Sequence, residues 1–155
     1  MAGFLNILGK VFGSKYDKDI KKISPLVEKT KQEYAKLSAL SNDELREKTN
    51  TLKKQINNFV SQERSQISNL KTDVSSKENS TEEKENLYKQ IDTLEKLVLD
   101  KIEEVLNTIL PEAFAVVKET ARRFAENDTI SVSASENDKE LAARKDFVSI
   151  DGANA

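Results

Sequence analysis

Neither histidine nor cysteine occurs among the 155 residues, so thiol nucleophiles, imidazole bases, disulfides and the usual zinc and iron sites are excluded at the level of atoms. Carboxylates, hydroxyls and the cations of lysine and arginine remain, and only the carboxylates could hold a metal. One stretch, "GFLNILGKV" at residues 3–11, has the outline of the phosphate-cradling G-x-x-x-x-G-K-[ST] loop. It carries one residue too many between Gly3 and Gly9, and Val11 stands where a hydroxyl must reach magnesium. Its bulky apolar middle is also unsuited to folding backbone N–H groups around phosphate. No catalytic residue, cofactor site or metal site is read in this chain.

Binding chemistry is better represented. If residues 3–13 are helical, Phe4, Leu5, Ile7, Leu8, Val11 and Phe12 fall on one side and Asn6, Lys10 and Gly13 on the other, with Lys15, Lys18, Lys21 and Lys22 following. An apolar wedge with basic residues behind it can lie in an anionic membrane surface, and the same face can equally pack on the rest of the protein. Gly3, Gly9 and Gly13 lower helix propensity, which suits a segment that orders on binding. Charged residues make up 34% of the chain but nearly cancel, to −2, so there is no basic field for nucleic acid, which is disfavoured as a partner. No apolar run is long enough to cross a bilayer and no cleavable signal is evident, which gives a cytoplasmic expectation.

The elements that must position these residues are helical. Four glycines and two prolines among abundant Lys, Glu and Leu leave few turn signals, and the expected class is all-α. Ser24-Pro25 reads as N-cap and N1 of a helix ending near Leu40, with Leu26, Val27, Tyr34 and Leu37 available for packing. "SNDEL" opens the next helix, Ser41 and Glu44 forming a capping box. Leu52, Ile56, Phe59, Ile67, Leu70 and Val74 then make a narrow stripe, interrupted by Glu63. Residues 75–86 contain nothing to bury and read as a loop. The stripe resumes as Leu87, Ile91, Leu94, Val98, Ile102, Val105 and Ile109. Two such stripes around a polar turn predict an elongated, coiled-coil-like antiparallel hairpin.

Pro111 should kink the return arm or start a new helix. After it, Ala113, Phe114, Val116, Val117, Ala121 and Phe124 share one face, and Lys118, Glu119, Arg122 and Arg123 the other, where pairing of Glu119 with the arginines reads as a surface feature of tenths of a kcal/mol. Beyond Phe124 the composition turns polar: Ile130 and Val132 suggest a scrap of strand and "KELAARK" a short helix. The layout is a basic amphipathic leader at 1–23, a helical segment at 24–124 containing the hairpin 52–109, and a polar linker at 125–155.

Three segments together resemble the N-terminus of the SecA family of preprotein-translocating ATPases: "ILGKVFGSKYDKDIKKISP", "LSALSNDELREKT" and, most specifically, "LPEAFAVVKETARRF" at 110–124. The resemblance covers about residues 4–56 and 106–124, which makes residues 57–105 a lineage-specific insertion. It lacks the family's glutamine-containing adenine motif and phosphate loop, so no nucleotide-site residue carries over. ATP and magnesium are implied for a full-length protein alone. The resemblance further implies that Phe4, Leu5, Leu8, Val11 and Phe12 insert into acidic phospholipid while Lys10, Lys15 and Lys18 meet headgroups. Phe114, Val117, Ala121 and Phe124 would seat the protein's own motor domain. The implied partners are the Sec channel complex and preproteins, and the implied location is cytoplasmic with peripheral attachment to the inner membrane. The hairpin stripes also offer a seam for a homodimer. The competing reading is a free-standing helical-hairpin adaptor or chaperone-like interaction protein.

Overall fold

The computed structural model describes residues 15–75 and 80–155; the leader face and the phosphate-loop look-alike lie outside the described residues, apart from Lys15 and Lys18. Among the described residues there are five helices: α1 Lys15–Ala35, α2 Asn42–Phe59, α3 Ser61–Val74, α4 Thr81–Glu126 and α5 Glu136–Ala142. Among the described residues extended pairing is limited to isolated bridges, and the all-α expectation holds. Two compact units are formed, Met1–Asn42 with Pro111–Ala155, and Asp43–Leu110.

Neither proline begins a helix. Pro25 lies inside α1 and Pro111 inside the 46-residue α4. At Pro25 the neighbouring Ser24 Oγ donates to the Ile20 carbonyl at 2.7 Å, a helix-interior hydroxyl bond and not an N-cap. This stretch of α1 is exposed, so water can satisfy the carbonyl that proline leaves unpaired. Serine caps act elsewhere. The Ser80 N–H donates to Glu83 Oε2 at 2.7 Å and the Glu83 N–H to Ser80 Oγ at 3.3 Å, a capping box that starts α4 inside the stretch read as loop. α2 begins at Asn42, directly after Ser41.

Within the unit Asp43–Leu110, the stripe read as one long helix is broken at Val60 (φ −113°, ψ 8°), the N-cap of α3. Val60 is fully buried, and Leu45, Leu52, Ile91, Val98, Val105 and Ile109 of the same unit are buried. Glu63, the interruption in the stripe, is also buried: its Oε1 accepts from Lys101 Nζ at 2.5 Å. Further along, Lys71 Nζ meets Glu95 Oε1 at 2.9 Å. As α3 advances from Glu63 to Lys71 its partner on α4 retreats from Lys101 to Glu95, so the two helices run antiparallel.

In the other unit, Leu37, Ala115 and Val116 are buried. The polar 125–155 segment is more ordered than its composition suggests. The Val132 N–H donates to the Ala155 carbonyl at 3.0 Å, the Ala155 N–H returns to Val132 at 2.9 Å, and the Ala134 N–H reaches Ala153 at 2.8 Å. Ser135 and Asp138 form a capping box that opens α5. Gly152 takes φ 58°, a conformation that favours glycine, at the turn that returns the chain for this pairing.

Candidate docking interface

The segment of α4 after Pro111 is two-faced, and its faces are not the ones periodicity predicts. Ala115 (0% exposed), Val116 (7%) and Glu119 (1%) point into the unit. Phe114 (53%), Val117 (66%) and Phe124 (68%) remain exposed, as does Ala121. The four residues expected to form a docking stripe therefore share an outward face. Glu119 and its arginines, expected at the surface, instead anchor the inside.

Glu119 is held by two guanidiniums. Arg122 Nε and Nη2 donate to its two oxygens at 2.9 and 2.7 Å, and Arg123 Nε donates to Oε1 at 2.9 Å. The Arg122 bonds, then those of Arg123, hold its carboxyl at about 2 against the opposing effect of burial, with a smaller contribution from the Tyr34 hydroxyl. Arg122 is held above its ordinary value, chiefly by Glu119, and it also pairs with Glu126.

Arg123 carries the anchor across the unit. The turns after α1 follow one another as i to i+3 bonds, ending with the Leu40 N–H donating to Leu37, which leaves carbonyls facing α4. Arg123 Nη2 donates to Leu40 O at 2.6 Å and to Leu37 O at 3.3 Å, while Nη1 donates to Asn42 Oδ1 at 2.7 Å. Asn42 Nδ2 in turn donates to the Ser131 carbonyl at 3.1 Å. One side chain from each of two helices thus ties α1's end, α4 and the C-terminal segment together. Lys118 adds a cation–π contact, its Nζ 4.5 Å from the Tyr34 ring centroid. Asn42 was missed because no sequence signal distinguishes a linking asparagine from an exposed one at a helix start.

Of the predicted membrane-contact residues, Phe4, Leu5, Leu8, Lys10, Val11 and Phe12 lie outside the described residues; Lys15 and Lys18 are exposed on α1. Continuing from Lys15, α1 presents Tyr16 (71% exposed), Ile20 (44%) and Ile23 (50%) in one row. Among the described residues there is no cluster of three or more His, Cys, Asp or Glu that could hold a metal.

The helix after Pro111 is thus clamped on one face by Glu119 and Arg123 and carries exposed apolar side chains on the other. The SecA DEAD-like domain family model matches residues 8–134. The chain belongs to the SecA family. It is 46% identical over 153 residues to the protein translocase subunit SecA of Porphyromonas gingivalis, covering 99% of this chain and 14% of that protein. The corresponding subunit of Phocaeicola vulgatus is 47% identical over 150 residues, with 96% and 14% covered. That of Cytophaga hutchinsonii is 43% identical over 154 residues, with 97% and 14% covered. The chain thus spans about one seventh of the length of these relatives, and the free-standing adaptor reading is not favoured. No solved structure matches the chain.

Proposed function

We propose that this chain is the N-terminal helical part of an ATP-hydrolysing preprotein translocase and serves it by docking. The observation that carries this reading is the outward stripe of Phe114, Val117, Ala121 and Phe124: two aromatic rings and a valine held in water by a helix whose inner side is fixed by Glu119 and Arg123. A stripe of this kind is stabilised when another apolar surface covers it, and the motor domain of the same protein is the surface that the family membership supplies. ATP and magnesium belong to that motor. The leader, with Lys15 and Lys18 at its described end, addresses acidic phospholipid and the Sec channel at the cytoplasmic face of the inner membrane, and preproteins are the cargo of the whole machine.

The test is reconstitution in trans. A SecA relative such as that of Porphyromonas gingivalis, shortened to lack the matching region, is titrated with this chain by calorimetry. Binding is expected, and replacing Phe114, Val117 and Phe124 together by serine weakens it by at least about 100-fold, since burying even one such side chain contributes about 2 kcal/mol. Failure of the unsubstituted chain to bind would overturn the docking reading.

A further inference from the structure

Residues 81–110 of α4 carry a buried row and, beside it, an exposed one. Ile91, Val98, Val105 and Ile109 are buried. Offset around the helix, a second row over residues 85–106 keeps the same three-and-four spacing, so its members share one face for about 30 Å. Every member is exposed. Three are apolar, Tyr88 at 56%, Leu99 at 66% and Leu106 at 45% exposure. The others, Glu85, Asp92, Glu95 and Glu103, are all acidic.

The chain itself neutralises these acids only in part. Over residues 81–110 eight acidic residues outnumber four lysines, which leaves this arm at −4 while the whole chain is at −2. Glu85 meets Lys89 at 3.1 Å and Glu95 meets Lys71 at 2.9 Å, both between exposed side chains, where such pairs are weak. Asp92 and Glu103 have no ion pair or hydrogen bond among the described residues. Lys96, beside the row, is four residues from both Asp92 and Asp100 and cannot neutralise the two together. Nor do the acids gather around a cation: among the described residues no group of three could hold a metal ion.

We propose that this row is a docking surface for a basic amphipathic helix of another protein. The helix lies along α4, its leucine-like side chains against Tyr88, Leu99 and Leu106 and its lysines or arginines beside Asp92 and Glu103. Charge complementarity selects this occupant, since nucleic acid and anionic lipid carry the row's own sign. The spacing selects it as well. Asp92 is one turn from Tyr88, and Glu103 is one turn from both Leu99 and Leu106. A lysine or arginine has an apolar stem and a charged tip, so one such side chain covers a leucine and reaches the carboxylate a turn away. Over Tyr88 the same tip also meets the face of the ring. A purely apolar partner would desolvate the carboxylates and give them no counter-charge. Leu99 and Leu106, seven residues apart, have the anchor spacing by which one helix reads another. The inference rests on this arm of α4 alone and stands or falls independently of the translocase reading.

The probe is a helical peptide of about 20 residues, long enough to span the row, with leucines on one face and lysines flanking them. It is titrated by calorimetry against the 155-residue chain at about 0.1 M salt. A dissociation constant on the order of 10 μM or tighter is expected, and the same peptide with glutamate in place of lysine does not bind. Asp92→Asn with Glu103→Gln weakens binding by at least about tenfold, as does Leu99→Ser; all three positions are exposed, and the helical circular dichroism stays that of the parent. Removing two charges further round the helix, with Asp100→Asn and Glu104→Gln, changes the affinity by less than about twofold. Deleting residues 1–14 leaves it unchanged. Four outcomes would each overturn the proposal: no binding of the lysine peptide, equal losses from the two charge pairs, indifference to Leu99→Ser, or tighter binding after the deletion, which would make the chain's own leader the occupant. An affinity that drops as the chain is concentrated would do so too, by giving the row to a second copy.

Discussion

Glu119 is 1% exposed and sits between two guanidiniums, and its carboxyl is held at about 2, first by the bonds from Arg122. A carboxyl depressed on folding contributes stability that is fully present above its unfolded value near 4.5 and disappears as pH falls through the folded value near 2. The contribution is on the order of 2 kcal/mol, allowing for the solvent that reaches Arg122, which is 39% exposed. Glu119→Gln should therefore cost about 2–4 kcal/mol at neutral pH by leaving Arg123 inside without its counter-charge. The difference in melting temperature between variant and parent should narrow as pH falls from about 5 to 2; a gap independent of pH would mean that packing, not charge, is what Glu119 supplies. The spacing of Glu119, Arg122 and Arg123 was legible in the sequence as a set of partners. Its depth was not, because i to i+4 spacing says which side chains meet and not which side of the helix faces the unit.

Among the elements, α4 and α5 start at serine caps, α3 starts at Val60 with no side-chain cap, and both prolines lie inside helices. Ser80 and Glu83 stand at capping-box spacing in plain view, but the absence of apolar residues around them made residues 75–86 read as loop. A cap supplies partners for backbone N–H groups and needs no core beneath it, so α4 begins there. Glu63 shows the converse. Periodicity placed it in the apolar stripe as an interruption, and the structure buries it with Lys101 as its partner, the lysine also 5.6 Å from the centre of the Phe59 ring. Its second oxygen, Oε2, has no hydrogen-bond partner, so the pair is incompletely compensated. Lys101→Met alone should lower the urea midpoint, since it strands a buried carboxylate; adding Glu63→Met should restore the midpoint to the parent value or above it. A double variant less stable than either single would show that the pair is the better solution at this seam.

At the scale of the molecule, the described residues expose apolar rows on α4 after Pro111 and near the start of α1. The second continues the leader, whose side chains were expected to insert into acidic lipid. In flotation assays the chain should rise with anionic vesicles and not with neutral ones, less so as salt is added. Deletion of residues 1–15 should abolish this. Equal flotation of the deleted chain would assign the leader to packing within the protein.

Several features were determined by the sequence alone. Missing histidine and cysteine limited the chemistry, few turn residues made the chain helical, and the four-and-three stripe on α4 picked out Ile91, Val98, Val105 and Ile109, which are buried. These follow from atom inventory and period, which are local. Only the tertiary structure decided which side of α4 turns inward after Pro111, that Arg123 reaches the carbonyls of Leu37 and Leu40, and that Val60 breaks the first arm. Each depends on residues far apart in the chain arriving together. An amphipathic pattern alone also cannot tell a face buried within the chain from one left for a neighbour, because both exclude the same water.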